Sequence, residues 1–422
     1  MRVILAGNAG RAIVIPAVAL IASSASALEL HGYFRDSDGF NSRGGGQACF
    51  QLPGSDFKAR LGNECERYLE MTLSEDGNVG GDAEWRVEFT PASSLPTTNG
   101  TAVNVLFLQQ MWAQIKLDGW GGSSLWAGRR FYRRHDVHSL DWFYWNPAQG
   151  NAAVGLEDVN VRLGKAALAL IRIDATPSGD TVKNLARGTY AVLDLRLYGI
   201  AVDPNGTLEI GVDLGLAFDQ QRALGANRAG VSPLFTIEHK KDKVLGGSNT
   251  ITVQYGSGAF AHESGDGPSQ LLAGGTTADK QWRVIEQLVA NPIPQLSGAI
   301  ALVYQNKSTS GTTRNGSSLF SAEVRPAYQF AEHFKLAVDA FFQTIWLENP
   351  APADGTPSLL KLTVAPTVVL GPGYFARPEL RFFVTYASWN DAAAETGTIG
   401  NGAFPSSYRS GLSAGGQIEI WF

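Results

Sequence analysis

The stretch Trp126–Trp145, WAGRRFYRRHDVHSLDWFYW, holds four arginines, two histidines, two aspartates and a run of aromatics, with neither a helical nor a strand period. Three kinds of chemistry are open to such a set. His135-Asp136-Val137-His138 could hold a metal or move protons, but its spacing matches no ligand motif and no third ligand is evident. Ser139 lacks the Gly-x-Ser-x-Gly turn that makes a serine a nucleophile. No catalytic residue and no metal site are therefore expected, and the histidines are read as hydrogen-bonding within the loop. The third chemistry is recognition. Arginines and aromatics at this density are costly in an idle loop and suit one held against a wet surface of mixed character. The stretch is read as a constriction loop folded into a pore.

A constriction loop needs walls, and the flanking sequence supplies them. In Leu28–Arg35 the residues Glu29, His31, Tyr33 and Arg35 fall on one face, with Leu28, Leu30, Gly32 and Phe34 on the other. Arg60–Leu73 repeats the pattern, with Arg67 interrupting it as a rim or subunit-contact residue. The same alternation recurs to the C-terminus and gives about eighteen strands in all, among them 103–117 and 373–388. Tight turns such as Asp203-Pro204-Asn205-Gly206 alternate with long connections such as Gly256–Ala278. Short turns at one end and long loops at the other are the pattern of an all-β transmembrane antiparallel barrel. An exported β-sandwich would alternate too, so alternation alone does not choose between them.

Composition narrows the classes further. Residues 1–27 read as a secretory signal peptide: Arg2 and Arg11 precede the apolar stretch Ala12–Ala22, and Ala25-Ser26-Ala27 is a small-residue cleavage pattern. Its removal takes away two arginines and no acid, moving the net charge from −5 to −7, which excludes a strongly basic nucleic-acid binder. No other segment has the run of about 18 apolar residues that a spanning helix requires. The only cysteines, Cys49 and Cys65, lie close together in an exported chain and read as one disulfide. No linker or fixed-period repeat divides residues 28–422, which form one domain.

In a barrel, the faces opposite the aliphatic ones line water. That set holds Tyr33 and Arg35 from the first strand, and Arg60, Tyr68 and Glu70 from the second. It also holds Phe375, Arg377, Glu379 and Arg381 from the seventeenth, and Glu419 and Trp421 from the last. Aromatics interleaved with arginines and carboxylates suit sugars, whose rings have an apolar face for stacking and hydroxyls that need donors and acceptors.

The segments HGYFR (31–35), RLGNECERYLE (60–70), WAGRRFYRRHDVHSLDWFYW (126–145), GLEDVNVRLGK (155–165), TLEIGVDLG (207–215) and QIEIWF (417–422) together resemble the maltoporin family, sugar porins of bacterial outer membranes. The resemblance implies an eighteen-stranded barrel in contact with outer-membrane lipid and lipopolysaccharide, a homotrimer, an inward third loop, and no cofactor. It also implies an aromatic slide beside an ionic track for maltose, maltodextrins or related oligosaccharides. Carried over by position, the slide is Tyr33, Tyr68, Trp421 and Phe375, the last standing for a tryptophan. Sugars entering from outside would meet these as Phe375, Trp421, Tyr33 and Tyr68. The track is Arg35, Arg60, Glu70, Arg134 and Asp141; Trp142 and Phe143 belong to the constriction loop; Cys49 and Cys65 match the family's first-loop disulfide. Departures are as informative. No tryptophan stands in Leu95–Ala102 where the family has the outermost slide residue, Ser248 replaces a slide phenylalanine, Leu108 replaces a track arginine, and Phe143 replaces the constriction tyrosine. A general diffusion porin with little sugar selectivity is the alternative these losses motivate.

Overall fold

The computed structural model describes residues 28–78, 83–96, 105–148, 151–175, 188–217, 230–262, 278–309, 316–348, 355–395 and 397–422. The expected signal peptide, and most of Leu95–Ala102, lie outside them. Eighteen strands form one sheet in which each pairs antiparallel with its chain neighbours. The first, Glu29–Asn41, pairs both with Glu66–Asn78 and with the last, Ser410–Trp421, so the sheet closes on itself. Closure leaves no edge strand, so the ladder hydrogen bonds of the wall are made within the sheet.

The side chains decide between sandwich and membrane barrel. Along the strand Ser358–Val369, Leu360, Leu362 and Val364 are 49%, 45% and 40% exposed, whereas Lys361 and Thr363 are fully buried. Aliphatic residues outside and polar ones inside reverse the soluble pattern and match a wall between lipid and a polar interior.

Two of the loops that fold into that interior build the site. Residues 42–65 form the first, tied by the Cys49–Cys65 disulfide with Cα atoms 6.0 Å apart. Its Leu61 carbonyl accepts from Lys361 Nζ and Thr363 Oγ1, each at 3.1 Å, and its Gly62 carbonyl from Thr385 Oγ1 at 3.1 Å. The loop therefore lies along the inner wall. The third loop, 130–151, leaves the strand Ser124–Arg129 at Gly128, whose φ of +129° and contact with the backbone of Met111 and Trp112 leave no room for a Cβ. The two loops meet where Arg60 N donates to Ser139 O at 3.0 Å.

Two strands begin later than the alternation predicts. The second starts at Glu66, so Arg60 belongs to the first loop. The seventeenth starts at Glu379, so Phe375 and Arg377 stand on the nine-residue connection 370–378 that precedes it. In both places the chain already alternates before it reaches the sheet, and periodicity does not mark where pairing begins.

Candidate functional site

Strand direction orders the site. The strand Glu66–Asn78 descends from the first long loop to a short turn, which puts Tyr68 towards the loop end of the barrel and Tyr33, on Glu29–Asn41, nearer the turn end. Tyr33 pairs across the sheet with Trp421, the last residue of the closing strand. Ring centroids of Tyr68 and Tyr33 are 6.0 Å apart, and those of Tyr33 and Trp421 are 6.4 Å apart and stacked. Phe375 is not flush with this row. It is 46% exposed on the 370–378 turn and reaches the row through His138, 5.3 Å from Phe375 and 6.0 Å from Trp421. The order from the loop side is thus Tyr68, Tyr33, Trp421, Phe375, the reverse of the sequence-based expectation. The reason is topological: residues near the C-terminus and before a strand that climbs to a long loop both stand at the turn end.

Charges flank the row. Glu419, buried beside Trp421 in the closing strand, accepts from Arg60 Nη2 at 2.9 Å, Tyr33 Oη at 2.9 Å and Arg377 Nη2 at 2.6 Å. Arg60 also donates to Tyr33 Oη at 2.8 Å and to Glu64 at 2.6 Å. Arg35 pairs with Glu64 and Glu66 and lies 3.4 Å from Asp141. These buried arginines are committed to carboxylates, as buried charge must be. Tyr68 donates its hydroxyl to Glu70 and accepts from Gln109 Nε2 at 2.8 Å, which fixes its ring.

The third loop supplies the facing wall. Arg134 is exposed, with its guanidinium 4.1 Å from the Phe131 ring and 4.2 Å from the Phe143 ring. It donates to no protein acceptor among the described residues. Tyr33, Arg35, Arg60, Tyr68, Glu70, Arg134, Asp141, Phe143 and Trp421 together line one cavity of about 480 Å³. Trp142 does not join them. It is fully buried on the far side of the loop, 4.6 Å from Phe57 and under Arg283 at 5.3 Å. In Trp142–Trp145 successive side chains point to opposite sides, and only Phe143 of the neighbouring pair faces the cavity.

Anchors hold that wall rigid. Trp145 lies against Gly211, where a Cβ would come within 2.1 Å of its ring. Its indole donates to Asp213 at 2.9 Å while Arg196 stacks over it at 3.7 Å. Tyr144 donates to Glu238 at 2.6 Å, Arg283 to the Tyr144 carbonyl at 3.1 Å, and Arg325 to the Ser139 carbonyl at 3.1 Å. The loop thereby bridges the lumen to strands far around the barrel.

Loop charges differ in state. Burial raises the Asp141 carboxyl, but Arg60 and Arg35 outweigh it and hold the group at about 2. Burial keeps Asp136 above the usual carboxylate range despite Arg134. Burial together with Arg60 drives His138 far below its ordinary value, so its ring is neutral where it meets the Arg60 guanidinium at 3.2 Å. The two histidines do not act as one site: His135 points to Glu238 at 2.8 Å, on the opposite side. Among the described residues no three His, Cys, Asp or Glu side chains converge to hold a metal ion.

The sequence reading did not assign Phe107, Gln109, Phe131 or Glu66 to the channel lining and read His138 only as hydrogen-bonding within the loop; all five line the cavity. Leu108, expected in the lumen, lies on the outward face with Leu106, because the pairing shifts register between Thr90 and Pro91. Alternation read backwards from Phe107 and Gln109 would have found the pair, but only with the shift already known.

A sequence model described as LamB porin matches residues 28–422. Among solved structures, OpdQ of Pseudomonas aeruginosa is similar at 10% identity over 94% of this chain and 98% of that one, with a TM-score of 0.48. The trimer form of the outer membrane protein OmpT of Vibrio cholerae is similar at 8% identity over 94% of this chain and 100% of that one, with a TM-score of 0.40.

Proposed function

Since the chain belongs to the LamB porin family and is a porin of the bacterial outer membrane, we propose that its channel is selective for sugars and passes maltose, maltodextrins or related oligosaccharides by facilitated diffusion. The observation that carries this reading is the row Tyr68–Tyr33–Trp421 at 6.0 and 6.4 Å spacing, bordered on the same wall by Arg35, Arg60 and Glu70. Rings so spaced let a pyranose pass from one stacking contact to the next while its hydroxyls exchange partners along the charged border. Several similar shallow sites bind strongly enough to admit a solute and weakly enough to release it. Cys49–Cys65 holds the loop that brings Arg60 to the border.

Replacing Tyr33 and Trp421 together by Ala is expected to abolish sugar block of single-channel current while salt still passes. Unchanged block would remove the slide from the reading. The second reading, a general diffusion porin, is favoured by one observation: the facing wall offers Phe131 and Phe143 where a hydroxyl would serve a sugar. Liposome swelling with sugars and amino acids of equal size separates the two, since equal rates support general diffusion.

The homotrimer is part of the same proposal. Asp36, Asp38 and Arg67 stand on the outward face of the first two strands, with Arg67 2.9 Å from Asp36. An arginine facing lipid costs about 2–4 kcal/mol at mid-depth but only about 0–1 kcal/mol near the interface. Arg67 stands near the loop end, so it is the cluster of three charges that suits this wall to a neighbouring subunit better than to lipid. Elsewhere among the described residues the outward face is dominated by exposed apolar side chains such as Leu168, Phe235, Leu362 and Phe382, which suit outer-membrane lipid and lipopolysaccharide. Residues 1–27 serve as the export signal in this reading.

A further inference from the structure

We propose that Phe107 and Gln109 build an outer capture subsite for a pyranose ring, placed on the loop side of Tyr68 and supplied entirely by the subunit whose channel it serves. The proposal rests on the sugar-channel reading and extends it to residues with no assigned role.

The observation is a bulge. The strand Ala83–Pro96 pairs with Val105–Leu117 in straight register from Ala83↔Leu117 to Thr90↔Gln110, and then Pro91 faces Leu108, leaving Gln109 as an extra residue. Below the shift Gln110 and Trp112 face inward and Met111 outward. Unbroken alternation would continue with Leu108 and Leu106 in the lumen and Phe107 in the wall's outer face. The extra residue inverts this. Leu106 is outside and 77% exposed, while Phe107 and Gln109 turn into the cavity. Bulges commonly re-aim a side chain beside a functional site, and a proline, which cannot donate to the ladder, is at home in one.

What the inversion places in the lumen has the chemistry of a sugar site. The Phe107 ring lies 6.5 Å from Tyr68, which continues the spacing of the row by one rung towards the loop end. Gln109 holds the Tyr68 hydroxyl at 2.8 Å and presents its amide to the cavity. Ser94 and the half-exposed Glu66 stand beside it as further hydroxyl partners, 3.5 Å from each other. Phe131 and Arg134 face the pair across the cavity. An apolar ring placed deliberately in a wet lumen has no packing role that an outward phenylalanine would not fill better, because the outward face is the apolar one.

Because the subsite lies at one end of the row, its loss should be felt from one side. The test uses full-length wild-type, Phe107→Ala and Phe107→Tyr channels, added to one chamber of a planar bilayer so that they insert in one orientation, with maltohexaose as probe. Phe107→Ala is expected to lower the association rate of sugar added on the loop side roughly three- to tenfold, the range for one lost ring contact. Association from the turn side should be unchanged, and Phe107→Tyr should restore the loop-side rate. Equal slowing from both sides, or none from either, would overturn the subsite. The Tyr33/Trp421 double variant separates that failure from failure of the slide: if it still abolishes block, the slide stands without an outer rung. If wild type is not blocked by sugar at all, both readings fall. Heat-modifiable migration confirms that each variant forms a barrel.

Discussion

Arg134 offers a way to separate charge from shape in this channel. Its guanidinium is held between two phenylalanine rings at 4.1 and 4.2 Å, contacts worth about 0.5–1 kcal/mol each at an exposed site. That is enough to orient the group and too little to matter for barrel stability. Its donors meet no protein acceptor among the described residues, so they are available to a substrate hydroxyl. A hydrogen bond from a charged donor contributes about 1.5–3 kcal/mol. Arg134→Lys keeps the positive charge but loses the planar fork and the stacking that aims it. Sugar affinity should then fall roughly tenfold, the equivalent of about 1.4 kcal/mol, while salt conductance stays as in wild type. Arg134→Met removes the charge as well and should weaken binding on the order of a hundredfold, with an altered conductance. Titration of current block with a maltodextrin, with conductance in plain salt as control, reads both quantities. Wild-type affinity in Arg134→Lys would show that charge alone suffices. If affinity and conductance fell in proportion, the arginine would be acting on the pore's field and not on the sugar.

Three further outcomes are expected. Phe143→Tyr should tighten sugar block about two- to tenfold, since one neutral hydrogen bond is worth about 0.5–1.5 kcal/mol; an unchanged constant would mean that position 143 does not reach the sugar. Asp141 is held at about 2, so the stabilisation from its contacts with Arg35 and Arg60 is present above the ordinary carboxylate value and is lost only as pH falls through about 2. Asp136, held above the usual range, loses its charge first on acidification. Asp141→Asn should therefore weaken block equally at neutral and moderately acid pH, whereas the effect of Asp136→Asn should fade with acid; the opposite ranking in block titrations at the two pH values would refute the assignment. Finally, replacing Cys49 and Cys65 by Ser removes a constraint worth about 3 kcal/mol in the unfolded chain, on the loop that carries Arg60. Barrels should still form on unboiled gels, but sugar affinity should drop; retained affinity would show that the Leu61 and Gly62 contacts hold the loop unaided.

How much was legible in the sequence depended on whether a period applied. Strand number and the opposed faces follow from alternation, because a strand can turn a side chain only two ways; the inward third loop follows from its composition and from the family resemblance. The choice of barrel over sandwich needed the exposures of Leu360, Leu362 and Val364, since both architectures alternate. Where the period breaks, the reading broke with it. One extra residue at Gln109 inverted a whole strand end and sent Leu108 outside. Trp142 opens a short strand within the third loop, where alternation separates it from Phe143 but nothing local says which of the two faces Phe57 and which the cavity. Alternation placed Arg60 in the lumen as a strand residue, and family likeness placed it on the track. The structure puts it there for another reason, since it stands in a loop and is held at the Glu419 hub by a contact 359 residues distant in sequence.

The division between committed and uncommitted charge explains how one wall can be both rigid and permissive. Glu419 is occupied by Arg60, Arg377, Arg381 and Tyr33, and removing any one partner leaves a buried carboxylate still multiply paired. Such a hub fixes the positions of Tyr33 and Trp421 without offering a substrate a deep well. Glu70, Asp141 and Arg134, by contrast, keep polar atoms towards the cavity. On the sugar-channel reading, a sugar hydroxyl arriving at these groups replaces water, with a net gain of about 1.5–3 kcal/mol per charged bond, the same order as a stacking contact of about 0.5–1.5 kcal/mol. With rungs 6.0 to 6.5 Å apart, each step along the row would, on that reading, exchange one shallow contact for an equivalent one. A single stronger site, made for instance by freeing Arg60 from Glu419, would bind more tightly and conduct more slowly. On the sugar-channel reading, committing Arg60, Arg377 and Arg381 to Glu419 would be what keeps the path flat.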